Sequence, residues 1–146
     1  MPDTMEIPDI RRRLRHALEQ ARKESAERHA RADLAAASYS AFLRDIAMPV
    51  FRMFANVAKA EGHAFAVFTP AEGVRLASER HADDFMEIWL DASLDPPQVS
   101  TRVSRVRGRD LTLREEALRA GAPINGLTDE DVFNFLLANI GPLVER

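Results

Sequence analysis

Cysteine is absent from the 146 residues, which removes disulfides, thiolate zinc sites and thiol nucleophiles at once. The absence fits a reducing compartment. Glycine is scarce, six in all, and the first is Gly62. A phosphate-cradling loop therefore has little to be built from, and none of the patterns Gly-x-Gly-x-x-Gly, Gly-x-x-x-x-Gly-Lys-Ser/Thr or Gly-x-Ser-x-Gly occurs. The opening Met1-Pro2-Asp3-Thr4-Met5-Glu6 has no apolar signal core. No stretch approaches the roughly 18 apolar residues of a membrane span. A cytoplasmic protein with no membrane contact is the expectation.

Strong charge of one sign is also lacking. Residues 1–62 hold eleven Lys+Arg against nine Asp+Glu, and residues 63–146 hold nine against fourteen. Neither half is basic enough to announce nucleic acid. The four histidines, His16, His29, His63 and His81, form neither His-x-x-x-His nor Glu-x-x-His, the spacings that set two ligands on one helical face. No metal, cofactor or catalytic residue is expected. The one cluster to weigh is His81-Ala82-Asp83-Asp84, which reads first as a polar turn and second as a weak metal or general-base site.

What the chain does have is apolar material for one core: 46% of its residues are hydrophobic and 29% charged. Pro8 and Asp9 open a helical reading, with Asp9 as a cap suited to the helix dipole. From there to Ala47 neither glycine nor proline interrupts. Pro49 predicts a break or kink, since it removes a donor and restricts Met48. A second helical segment, Val50 to Ala60, then stops at Gly62. A helix over 10–47 would run roughly 57 Å from the α-helical rise. It must overhang a globule whose radius of gyration is about 15 Å. Residues 34–57 carry large apolar side chains at spacings of three and four, a core-facing stripe. Residues 10–33 offer only Ile10, Leu14 and Leu18 before a run of alanines. The reading is thus a partner-dependent extension over 1–33, most simply one half of a helical homodimer, and a single α+β domain over 34–146. A solvated, frayed extension and a helical hairpin turning near Ser38-Tyr39-Ser40 are the alternatives.

Beyond Gly62 the period becomes two. Strands are expected at Ala64–Thr69, Val74–Glu79, Phe85–Leu90 and Val99–Arg107, joined by short turns as a four-stranded antiparallel meander. Phe65, Val67, Val74, Leu76, Met86, Ile88 and Leu90 share one face. Phe68, Phe85 and Trp89 fall on the other, too apolar to be bare. Val106 breaks the parity of Val99, Thr101 and Val103, which suggests a bulge near Ser104-Arg105. Thr112-Leu113-Arg114-Glu115 has capping-box spacing, so a short helix over 113–120 follows, with a hairpin through Leu111-Thr112-Leu113 as the alternative. Thr128 caps a last helix, apolar nearly all round and therefore buried on more than one side.

Three functional readings result. The first is a non-enzymatic interaction or adaptor protein, chaperone-like, acting as a homodimer through Ile10, Leu14 and Leu18, with Phe85, Trp89 and Phe135 as further contact residues. The second is nucleic-acid binding through Arg102, Arg105, Arg107 and Arg109 on the fourth strand and its turn. The acidic opening of the last helix, Asp129-Glu130-Asp131, and the mixed charges beside Arg11, Arg12, Arg13 and Arg15 weigh against it. The third is a small-molecule binder or enzyme with a pocket near His81, Asp84 and Trp89.

Overall fold

The computed structural model describes residues 4–145. It is an α+β fold: one long helix, a five-stranded antiparallel sheet and a C-terminal helix. The long helix comprises α1 (Ile7–Phe42), a π-helical turn (Leu43–Ala47) and α2 (Met48–Ala60). Glu6 occupies the N-cap position, and Pro8 and Asp9 lie inside the first turn, where a proline has no intrahelical donor to lose.

Of the break or kink expected at Pro49, no break occurs, and the irregularity is a π-helical turn directly before it. The turn just before it widens, so that the Met48 N–H donates to the Leu43 carbonyl, five residues back. An α-helix would drive the Pro49 ring into the carbonyl of the preceding turn, and the π turn supplies the room. It also resets the buried stripe. Ala35, Tyr39 and Phe42 are buried, then Ala47, Phe51 and Ala55. The interval of five between Phe42 and Ala47 is one residue longer than α-helical phase permits. Without that extra residue, Phe51 and Ala55 would rotate off the core by about 100°. No hairpin forms near Ser38–Ser40, because the helix runs straight through.

The sheet is a meander in chain order: β1 (Phe65–Phe68), β2 (Val74–Ser78), β3 (Phe85–Asp91), β4 (Gln98–Arg107) and β5 (Asp110–Ala117). Five strands stand where four are expected, because the segment read as a helix over 113–120 is β5. Its register with β4 is unbroken from Ser100↔Ala117 to Arg107↔Asp110, and Gly108 (φ +62) makes the tight turn between them. The bulge expected near Ser104-Arg105 is absent: β3 and β4 stay in step from Phe85↔Ser104 to Asp91↔Gln98. Val106 simply lies on the outer face opposite Leu111.

The inner face is the one the alternation indicates. Phe65, Val74, Leu76, Met86, Ile88 and Val99 are buried there against Phe42, Ala47 and Phe51 of the long helix. Into the same core come Val132, Leu136 and Leu143 of α3 (Asp129–Val144). Thr128 caps α3 with a reciprocal pair: its hydroxyl accepts from the Asp131 N–H and the Asp131 carboxylate accepts from the Thr128 N–H. At the other end of α3, Arg107 donates to the carbonyls of Pro142 and Glu145, closing open helix carbonyls from the sheet.

Candidate interaction surfaces

The arm comes first because the fold leaves it bare. Ala35 is the first buried residue of the long helix. N-terminal to it, Ile7 (72% exposed), Ile10 (46%), Leu14 (55%) and Leu18 (49%) form a stripe at spacings of three and four. About 40 Å of helix separates Ile7 from Ala35. At its base the arm is tied to the β3–β4 loop by Arg31, whose guanidinium donates two hydrogen bonds of 2.9 Å to the Asp95 carboxylate. Those bonds hold the Asp95 carboxyl below the usual carboxylate range. Two turns further along, the Tyr39 hydroxyl donates to the Glu72 carbonyl at 2.6 Å. Glu72 sits in a tight turn where it and Ala71 adopt positive φ, 66 and 35. Burial, then the charges of Glu72 and Glu87, push the Tyr39 phenol up.

At the far end of the same helix, α2 and α3 flank a groove of about 420 Å³. Val50, Met53, Phe54 and Val57 form one wall, Phe133 and Leu137 the other. Its rim side chains are large and bare: Met53 is 65% exposed, Val57 59%, Leu137 54% and Phe133 44%. Sequence reasoning names Phe135 on α3. Phe135 is half-buried and packs against the core, while Phe133 and Leu137 beside it are the more exposed apolar side chains. The signal present in the sequence is that α3 is apolar on more sides than one sheet can cover.

On the outer face of the sheet Phe85 and Trp89 are half-buried under neighbouring side chains, while Phe68, Leu111 and Leu113 stand exposed. Arg75, Glu87, Arg102 and Glu115 lie directly opposite one another on β2, β3, β4 and β5. Glu87 is 3% exposed and accepts from Arg75 at 3.1 Å and from Arg102 at 3.0 Å. Arg102 also donates to Glu115 at 2.8 Å. The guanidinium of Arg75 lies 3.8 Å from the centre of the Phe85 ring, and that of Arg102 lies 4.9 Å from the Trp89 ring. A ladder of alternating charge therefore roofs both aromatics, by cation–π contact and by the apolar stems of the arginines.

This ladder also bears on the arginine strand. Arg102 is held between two carboxylates, and Arg107 contacts Asp84 at 3.3 Å as well as the α3 carbonyls. Arg109 lies in the β4–β5 turn, and Arg105 pairs across from Thr112. The four do not converge on one stripe. Asp84, fully buried, accepts from the Val106 N–H at 2.8 Å. His81 is exposed in the preceding turn, where its carbonyl accepts from the Asp84 N–H. Among the described residues no group of three or more His, Asp or Glu side chains is placed to hold a metal ion. None of the described helices is long and apolar enough to cross a membrane.

Comparison with protein-family models, with curated proteins and with solved structures finds no match for this chain.

Proposed function

We propose that the chain is a non-enzymatic interaction protein, adaptor- or chaperone-like, that works as a homodimer with residues 7–33 as its association element. The observation that carries this reading is the arm itself. Three turns of helix present Ile7, Ile10, Leu14 and Leu18 to solvent, roughly 25–40 Å from the nearest core residue of their own helix. A stripe so placed gains nothing for the folding of its own domain, and its burial waits on a second chain. The commitment of Asp84 to Val106 and Arg107 supports a structural rather than a catalytic part for the His81–Asp84 turn. A cysteine-free chain of this kind suits the cytoplasm.

Magnitudes constrain how the dimer is built. Four side chains losing half their surface are worth about 1 kcal/mol each. Two arms pairing only with each other gain about 8 kcal/mol, against an association cost of about 4–15 kcal/mol. Arm-to-arm contact alone leaves little surplus. Sedimentation equilibrium of the full chain is the test: a dimer in the micromolar range is expected, and Leu14→Glu shifts it to monomer. A wild-type chain that stays monomeric at high concentration overturns the proposal.

A further inference from the structure

Resting on that reading of the arm, we infer that the arm of one copy docks in the groove between α2 and α3 of a second copy, reciprocally. The groove needs an occupant that its own molecule cannot supply. Arm and groove lie on one continuous helix, so the rigid rod that holds Leu14 also keeps it about 58 Å from Met53. An arm that fills the groove therefore comes from another copy.

The dimensions fit an arm. Ile7 to Leu18 is twelve residues long, as are Val50 to Glu61 on one wall and Phe133 to Val144 on the other. Three helical stripes of equal length can close into one apolar bundle, an amphipathic helix laid into a two-helix groove. Charge fits as well. Arg11 and Arg15 flank the arm stripe on one side and Arg13 on the other. The groove is bordered by Glu61 and His63, and Glu130 lies one turn before Phe133 on its side of α3. Asp129–Val144 contains three acids and no Lys or Arg, while Arg52 and Lys59 of α2 project from the side opposite the groove. A basic, apolar-striped helix is what this rim accepts.

Symmetry permits both contacts together. Leu14 and Met53 lie at nearly equal distances along the axis on either side of Leu34. Two long helices running in opposite directions therefore bring each arm to the other's groove and leave no unpaired end, a closed two-fold assembly.

The experiment uses full-length chains and sedimentation equilibrium, with circular dichroism to establish that each variant is folded. Leu14→Glu alters the arm; Met53→Glu and, independently, Leu137→Glu alter the groove, all at exposed positions. Each alone is expected to be monomeric. An equimolar mixture of Leu14→Glu with either groove variant restores one intact arm–groove pair, so it associates at least tenfold more tightly than either variant alone. If both groove variants stay dimeric while Leu14→Glu is monomeric, the groove is not the receptor and only the arm reading stands. A mixture that remains monomeric excludes the groove in the same way. If Leu14→Glu stays dimeric, the arm reading itself falls.

Discussion

Glu87 separates interactions that matter for stability from those that decorate the surface. Its carboxylate is 3% exposed and answers two arginines whose own side chains are 31% and 28% exposed. Glu87→Ala takes the carboxylate from Arg75 over Phe85 and leaves Arg102, over Trp89, with Glu115 alone. A loss of about 2–3 kcal/mol is expected in urea unfolding, below the figure for a fully buried pair because the arginines reach water. Glu115, 45% exposed at the end of the same ladder, should cost under about 1 kcal/mol when replaced by alanine. A ratio near unity for the two variants would show that the ladder is not graded by burial. Tyr39 gives a pH signature. Its phenol is pushed up by burial, so the folded state keeps the proton where the unfolded chain, with an ordinary value of about 10, releases it. Stability is then complete below about pH 10 and falls as pH rises further, since the unfolded state binds fewer protons there. Tyr39→Phe should lose about 1 kcal/mol at neutral pH with the Glu72 hydrogen bond, and should lack this part of the alkaline decline. Urea midpoints between pH 9 and 11 read both effects. At this scale strand alternation places Phe85 and Trp89 on the outer face. It does not reveal their roof, because the cross-strand register that sets Arg75 and Arg102 beside Glu87 is not contained in any one strand.

The π turn is the element whose length, not its composition, carries the fold. Asp45 within it is exposed and, among the described residues, pairs with its neighbour Arg44. Asp45→Ala should leave the urea midpoint essentially unchanged. Deleting Asp45 closes the turn to an α-turn, swings Phe51 and Ala55 off the core and sets Pro49 against an α-helical carbonyl. A loss of at least about 3 kcal/mol is expected by thermal or urea unfolding. A deletion no worse than the alanine variant would mean that the phase slip is incidental. The sequence shows Pro49 but hides the slip, since Ile46 beside Ala47 lets a reader continue the stripe without noticing the extra residue. The strand β5 is legible only as the second reading, a hairpin through Leu111-Thr112-Leu113, and that reading is the one that forms. Leu113-Arg114-Glu115-Glu116-Ala117 is made of good helix formers behind a capping-box spacing, and every residue of β5 is exposed. No buried alternation marks it, and pairing with β4 overrides propensity. The inner sheet face is legible because burial on one side imposes period two on β1–β4. The groove is only half legible. An all-round apolar α3 signals an uncovered side, but which residues face outward depends on how α3 seats on the sheet.

For the whole molecule, the proposed division of labour, folding to the domain and association to the arm, is tested by a truncation. The apolar residues that anchor the long helix begin at Ala35, and the Arg31–Asp95 pair ties down the turn before it. Residues 4–30 contribute no buried side chain to the described core. Removing residues 1–30 should therefore leave the sheet, α2 and α3 folded, with a thermal midpoint within a few degrees of the full chain. Helical signal in circular dichroism should fall in proportion to the lost turns, and self-association should weaken at least tenfold. The groove would then be vacant on every copy, so the truncated chain should bind a separate peptide of residues 4–22, weakly because the free peptide must first become helical. Acid tests the same division: Asp95, with its proton affinity lowered by Arg31, should hold the base of the arm above the ordinary carboxylate range and release it as pH falls below. A truncated chain that fails to fold would place the boundary nearer the N-terminus than Ala35. A truncated chain that folds and still dimerises would move the interface off the arm, to the groove walls themselves or to the open edge of β5.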